Sequence, residues 1–149
     1  MHTVLEASDR EAILQRLAAL TPASTRRWGQ LSASGMLCHL RESTRMALGE
    51  LPVKPKGKKV FQVFPVKHLL LYVVPFPKGA PTAPELLQGV PGNDFETDKA
   101  RLSELLTRVG LGSYEGLGPV HPLFGALSWQ EWGAAMYKHT DHHLRQFGV

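Results

Sequence analysis

The sequence contains few of the features that special structural classes require. With one cysteine, Cys38, it cannot form an internal disulfide, which fits a reducing compartment, and we expect a cytoplasmic protein. The apolar run Leu69 to Val74 is far shorter than the roughly 20 residues that cross a bilayer. Residues 1–20 lack the continuous apolar stretch of a signal peptide. These absences predict a protein that neither spans a membrane nor has one as a partner.

Signatures of nucleotide and nucleic-acid binding are also missing. No glycine-rich loop follows a predicted strand, and the sequence has no internal repeat. The net charge is +4, and much of the excess comes from lysines between positions 54 and 59. No aromatic residues alternate with these lysines, so a solvated loop explains them better than a nucleic-acid surface. We therefore expect no nucleic-acid partner.

The composition is that of an ordinary globular domain. Hydrophobic residues make up 43% of the 149 residues and charged residues 20%, so we predict one domain over residues 1–149. A chain of this length buries roughly two-thirds of its unfolded surface and needs no metal to fold. Any metal site is therefore expected to serve function and not stability.

Apolar residues recur at helical spacing in four segments, each bounded by capping residues. The predicted helices are Asp9 to Leu20 after a Ser8–Glu11 capping box, Ala33 to Leu48 after Ser32, a segment from Asp94 to Gly110, and Trp129 to Phe147 after a Ser128–Glu131 capping box. Residues 50–93 hold eight of the eleven prolines, and a short helix is expected there only from Val66 to Val74. The predicted fold is an all-α four-helix bundle with a long, proline-rich crossover excursion.

Two histidines lie one helical turn apart in the last predicted helix. His139 and His143 are at i and i+4, where Cβ atoms are about 5–6 Å apart, so both rings can reach one divalent cation. A third ligand must come from another helix. His39 is the candidate, because Met36 and Ser43 mark its face of the second helix as inward. Three neutral histidines leave coordination positions open, as in catalytic sites.

The same spacing permits another interpretation. A histidine pair at a helix C-terminus is also stabilised on the surface by the helix dipole, and spacing alone favours neither reading. Of the adjacent pair, His143 shares a face with His139, whereas His142 points about 60° to the other side. If a metal binds, His143 is the predicted ligand, and His142 is predicted to face a neighbouring helix or solvent.

Several motifs together resemble a known superfamily. The run His139-Thr-Asp-His142-His143-Leu-Arg-Gln146 resembles the H-x-x-H-H-x-x-Q signature of the DinB-like (DinB/YfiT) superfamily of four-helix metal-binding proteins, and Met36-Leu-Cys-His39-Leu is similar to its second-helix histidine motif. The resemblance implies His39, His139 and His143 as ligands. Arg27-Trp-Gly-Gln-Leu-Ser, Pro75-Phe-Pro-Lys-Gly and His121-Pro-Leu-Phe-Gly are similar to one branch, a domain of unknown function.

Two further side chains are candidate catalytic groups. Glu42 lies one turn beyond His39 and could orient that imidazole or act as a general base, although an ion pair with Arg41 or Arg45 explains it equally well. His121, in the loop before the last helix, could donate a proton, although loop packing is the simpler role.

The superfamily includes thiol-dependent transferases and metal-dependent hydrolases, so the resemblance implies a scaffold and not a reaction. We predict a metal-dependent enzyme of one of these two kinds, acting on a small-molecule substrate with zinc or nickel as the cofactor. The alternative is a non-catalytic helical protein that binds a partner or senses metal. A homodimer is also expected, because Leu69 to Val74 is more apolar than a lone short segment requires.

Overall fold

The computed structural model describes residues 1–79, 84–87 and 94–149. This part of the chain is all-α and contains no strand. Its α-helices are α1 (Ala7–Ala18), α2 (Ala33–Ala47), the short α3 (Val66–His68), α4 (Phe95–Leu111) and α5 (Trp129–Gln146). The predicted all-α class is therefore confirmed for the described residues.

Three of the four long helices begin at the capping residue that the sequence indicates. Ser32 accepts a hydrogen bond from the backbone N–H of Gly35, and Asp94 accepts from the second and third residues of α4. Both halves of the capping box formed by Ser128 and Glu131 are present at α5. Such caps satisfy N–H groups that the first helical turn leaves unpaired, each worth about 1 kcal/mol.

The predicted start of α1 is wrong. The helix begins at Ala7 after Glu6, which provides no side-chain cap, and it ends at Ala18 and not Leu20. The Ser8–Glu11 capping box does not form. Instead, Asp9 accepts a hydrogen bond from the backbone of Thr3 at 2.8 Å, and this contact folds the preceding residues against the first turn. A tertiary contact of the amino-terminal segment has replaced the local cap.

The helices pack so that α2 and α5 face each other. α1 contacts α4 and α5, and α2 contacts the same two helices. Their inner faces bury a continuous apolar core, whose fully buried side chains include Ile13, Leu17, Met36, Leu37, Leu40, Leu102, Leu106, Trp132 and Leu144. This packing brings His39 on α2 next to the carboxyl-terminal half of α5.

The connection between α2 and α4 carries only short helical pieces in its described part. The predicted Val66–Val74 helix consists of α3 followed by a wider π-helical turn, Leu69–Val73. Leu71 is buried, while Leu69, Val73 and Val74 are exposed. Residues 80–83 and 88–93 of the predicted excursion lie outside the described residues. None of the described helices has the length and hydropathy that a bilayer span requires.

Candidate metal centre

Three imidazole rings converge between α2 and α5. The Nε2 atom of His139 lies 3.0 Å from Nε2 of His39 and 3.2 Å from Nε2 of His143. One ring nitrogen from each of the three histidines lies within 4.8 Å of the other two. The i, i+4 spacing on α5 supplies two rings on one face, and α2 supplies the third from across the helix interface.

The opposite nitrogen of each ring faces an oxygen atom. Nδ1 of His39 is 3.4 Å from the carbonyl oxygen of Leu86, Nδ1 of His139 is 3.1 Å from Oγ of Ser43, and Nδ1 of His143 is 3.0 Å from Oε1 of Gln146. Carbonyl and amide oxygens only accept, so His39 and His143 carry their proton on Nδ1. The hydroxyl of Ser43 can accept as well. With the proton on Nδ1, Nε2 of His39 and of His143 is unprotonated, whereas the tautomer of His139 depends on whether Ser43 accepts or donates.

The orientation of the Gln146 amide is fixed by a second hydrogen bond. Its Nε2 donates to the carbonyl oxygen of Trp28 at 2.6 Å, so that Oε1 is the atom facing His143. The loop that carries Trp28 is also held by the backbone N–H of Arg27, which donates to the Gln146 carbonyl at 2.7 Å. The loop before α2 therefore determines which atom His143 meets.

Burial keeps the three rings neutral. Desolvation lowers the pKa of His39, lowers that of His143 to about 3, and holds the pKa of His139 well below its ordinary value. Neutral imidazole is the form that binds a metal. If Ser43 donates, His139 Nε2–H can donate to His39 or His143; if Ser43 accepts, the Nε2 atoms 3.0 Å and 3.2 Å from His139 would repel it unless a cation lay among them.

The spacing of the rings fits a divalent ion. A tetrahedral ion with bonds of about 2.0–2.1 Å places its nitrogen ligands about 3.3–3.4 Å apart. The two short Nε2 to Nε2 distances are only a few tenths of an ångström below this. His39, His139 and His143 could thus hold a metal ion with small side-chain adjustments.

His142 lies outside the converging group. Its ring is half-buried and stands edge-on to Trp28 and Phe76, with ring centroids 6.1 Å and 6.0 Å apart. His142 therefore lies off the face that His139 and His143 share, but it packs against two loop residues and not against the neighbouring helix or solvent that was predicted.

Glu42 is engaged by arginines. Its two carboxylate oxygens accept from Nε of Arg41 at 2.9 Å and from an Nη of Arg45 at 2.8 Å. These side chains line a charged cleft of about 470 Å³ on the α2–α4 side, and none of the three histidines lines it. The contacts with Arg41 and Arg45 therefore support the ion-pair interpretation of Glu42. The general-base interpretation stays a prediction that no contact supports among the described residues.

His121 closes the loop before α5. Its Nδ1 accepts from the backbone N–H groups of Leu123 and Phe124 at 3.0 Å and 3.2 Å. The ring packs against Trp132, with centroids 4.9 Å apart, and burial lowers its pKa to about 4. These contacts support loop packing; beyond burial, the charge of His121 contributes to the lowered pKa of His139, but no hydrogen bond joins His121 to the three histidines among the described residues.

The residues that orient the metal-site histidines were only partly visible in the sequence. Gln146 lies at helical spacing from His143, which is a usable signal, whereas Ser43 contacts His139 across the helix interface. The Leu86 carbonyl comes from a distant 3₁₀ turn, Pro84–Leu87, and the Trp28 carbonyl from an irregular loop, so neither had a local signature. Phe76, whose ring centroid lies 6.0 Å from that of His139, was not anticipated as part of the site.

Comparison with known proteins identifies a family but no activity. Neither the curated proteins nor the solved structures contain a match to the chain. The wider DinB-like assignment therefore remains a prediction from the sequence motifs. The sequence profile of a family described as "Protein of unknown function (DUF1569)" matches residues 2–148. The chain belongs to this family of unknown function.

Proposed function

We propose that this protein is a metal-dependent enzyme, either a hydrolase or a thiol-dependent transferase, that acts on a small molecule. One observation carries the proposal: the three Nε2 atoms converge while every Nδ1 atom faces an oxygen. Hydrogen bonds from the second ring nitrogen to oxygen atoms are the usual way in which proteins orient metal-binding histidines.

The three histidines would hold the ion, and three protein ligands leave at least one coordination position open. Zinc or nickel is the proposed metal, since imidazole nitrogen suits both. When bound, such an ion supplies Lewis-acid activation of water or of a thiol. Ser43 and Gln146 keep His139 and His143 turned inward, and burial keeps all three rings neutral.

The nucleophile is expected to come from outside the chain. Cys38, the single cysteine, is buried, and desolvation raises the pKa of its thiol. Its Sγ lies 3.3 Å from an Nη atom of Arg41, in the group that also holds Glu42. With this thiol protonated and packed between helices, water or the thiol of a second substrate remains as the attacking group. This supports the two reaction classes proposed.

A non-catalytic role in metal sensing or ligand binding is the alternative. The observation that favours it is the composition of the converging group, which contains no carboxylate among the described residues. Metal-dependent hydrolases commonly use such a group as a general base. Turnover by the loaded protein decides between the two.

We also propose that the fold is a four-helix bundle of DinB-like type forming one domain. Support comes from the packing of α1 and α2 each against α4 and α5, and from ligands that are contributed by α2 and α5. A homodimer through the exposed side chains of Leu69, Val73 and Val74 is part of this proposal. Sedimentation of the wild type and a Val73→Glu variant tests it, and a monomeric wild type would remove the dimer.

The metal content of the purified protein tests the proposed function. Protein prepared without an affinity tag or chelator is expected to carry about one zinc or nickel ion per chain in native mass spectrometry. His139→Ala should abolish retention, whereas His68→Ala, a substitution of an exposed histidine, should not change it. If wild-type protein retains no ion even after incubation with zinc or nickel, the proposal is wrong. Hydrolysis or thiol transfer by the loaded wild type, absent from His139→Ala, separates an enzyme from a binding protein.

A further inference from the structure

The three-histidine centre reaches solvent on the α5 side. His39 is buried at 3% exposure, whereas His139 and His143 are partly exposed. Two loops border this side. The loop before α2 contributes Trp28, and the loop after the π-helical turn contributes Phe76 and Lys78, three residues that we call the rim. The rim is connected to the centre through His142, whose ring centroid lies 5.3 Å from that of His143.

The rim offers aromatic surface beside the centre. The Phe76 ring stands edge-on to His139 and to His142, with both centroid distances 6.0 Å. The Trp28 ring stands edge-on to His142 at 6.1 Å. A molecule that reaches the histidines from this side can pack an apolar or aromatic body against these rings.

The rim also carries donors that lack acceptors. Nε1 of Trp28 is buried and has no hydrogen-bond partner among the described residues. Buried N–H groups are rarely left unpaired, so an acceptor from a ligand would satisfy it. Nζ of Lys78 lies 4.6 Å from the centroid of the same ring, and no carboxylate pairs with it in the described part of the chain. Both donors thus lie at one ring, and both suit an anionic oxygen.

Nearby charges do not cancel this preference. Asp141, the acidic residue on α5 closest in sequence to His142, is bound by Arg16 at 2.7 Å and by Arg145 at 3.0 Å. Lys138 adds a second cation, since its Nζ lies 5.3 Å from the Phe76 centroid, although it is held by the carbonyl oxygens of Leu70 and Leu71. The surroundings of the rim therefore favour a negatively charged molecule.

We propose that the rim binds a small organic acid, whose carboxylate lies at Lys78 and Trp28 Nε1 and whose apolar body packs on Phe76 beside the three histidines. This inference rests on the proposed function and deepens it by naming the chemical class of the substrate. Lys78 selects the charge, and the Trp28 N–H selects an acceptor. The rings of Trp28 and Phe76 provide apolar contact that does not distinguish one acid from another.

Calorimetric titration of the full-length protein tests the rim. The probes are benzoate and its neutral isostere benzamide, and each is titrated into zinc-loaded and into metal-free protein. Benzoate should bind at least roughly tenfold more tightly than benzamide, because charge-assisted contacts are about twice as strong as neutral ones. Lys78→Met should weaken benzoate about tenfold and leave benzamide unchanged. Trp28→Phe, which keeps a ring but removes the N–H, should weaken both. Lys58→Met, at an exposed lysine outside the rim, is the matched control.

Metal content is measured separately for every variant, so that the two proposals can fail independently. Equal affinities for benzoate and benzamide, no benzoate binding, or benzoate binding unaffected by Lys78→Met would each overturn the rim as an acid-binding site. Loss of the ion in Lys78→Met would do the same, because it would make Lys78 a structural support of the centre. If the wild type holds no metal, the proposed function fails alone, and the metal-free titration still decides the rim through its dependence on Lys78.

Discussion

Gly29 leaves the space that the side chain of Gln146 occupies. A Cβ atom at position 29 would lie 2.0 Å from Nε2 of Gln146, the atom that donates to the Trp28 carbonyl. The same glycine has φ +81°, a backbone conformation that residues with a side chain rarely adopt. Oε1 of Gln146 faces His143. Gly29, which is more than 100 positions earlier in the sequence, therefore controls the environment of the His143 imidazole.

Gly29→Ala should therefore weaken metal binding as well as stability. Displacing Gln146 removes the acceptor at Nδ1 of His143, and loss of such a partner typically costs roughly 10- to 100-fold in metal affinity. Gly116→Ala is the matched control, since Gly116 has φ +70° and no atom within 4 Å of the added Cβ. Both variants should lose roughly 1–2 kcal/mol of unfolding free energy to backbone strain, and only the first should lose zinc affinity in a competition titration. Equal affinities would show that Gln146 does not support the site.

Single alanine substitutions should distinguish the two adjacent histidines. His39→Ala, His139→Ala and His143→Ala are each expected to lower zinc affinity by at least roughly tenfold, because each removes one converging nitrogen. His142→Ala should keep the metal, since its ring faces Trp28 and Phe76. Metal titration of the four variants gives the comparison. A His142→Ala protein without metal, together with a His143→Ala protein that retains it, would contradict the arrangement on α5.

Removal of the ion should leave the helices intact. The core is formed by apolar side chains such as Leu40, Leu102 and Leu144, each at most 1% exposed, and the histidines contribute only one region of it. Circular dichroism before and after chelation is expected to show nearly unchanged helical signal, with a lower melting temperature because the ion binds the folded state. Loss of most of the helical signal would instead make the metal a structural element.

His121 should make the metal-free protein less stable in acid. Burial lowers the pKa of this ring to about 4, whereas in the unfolded chain it titrates near its ordinary value of 6.5. Between those values the unfolded state binds a proton that the folded state excludes, so unfolding free energy falls as pH drops from about 6.5 toward 4. In His121→Asn an amide oxygen can accept from Leu123 without titrating.

Urea unfolding at several pH values measures the free energy of unfolding of the wild type and of His121→Asn. The quantity to compare is the slope of this free energy against pH, because His39, His139 and His143 contribute equally to both slopes. Between about pH 6.5 and 4, the free energy of unfolding should fall more for the wild type than for His121→Asn. Identical slopes would mean that the ring is protonated in the folded protein as well.

The sequence alone was informative where a local pattern had a local cause. The capping box of Ser128 and Glu131 predicted the start of α5, and helical spacing placed His139 and His143 on one face. It failed at Ser8, because α1 begins one residue earlier, at Ala7, and Asp9 binds the backbone of Thr3, a contact that the capping-box pattern does not describe. It also gave no sign of the Leu86 carbonyl at His39, since that contact joins two segments far apart in the chain.

The candidate ligands His39 and His139 are 100 residues apart in the chain. Before α5 is synthesised, the chain offers only one of the three imidazoles. The complete set of three nitrogens exists only once α5 has docked onto α2. A bound ion would then close a long loop in the folded chain and slow the detachment of α5 from α2.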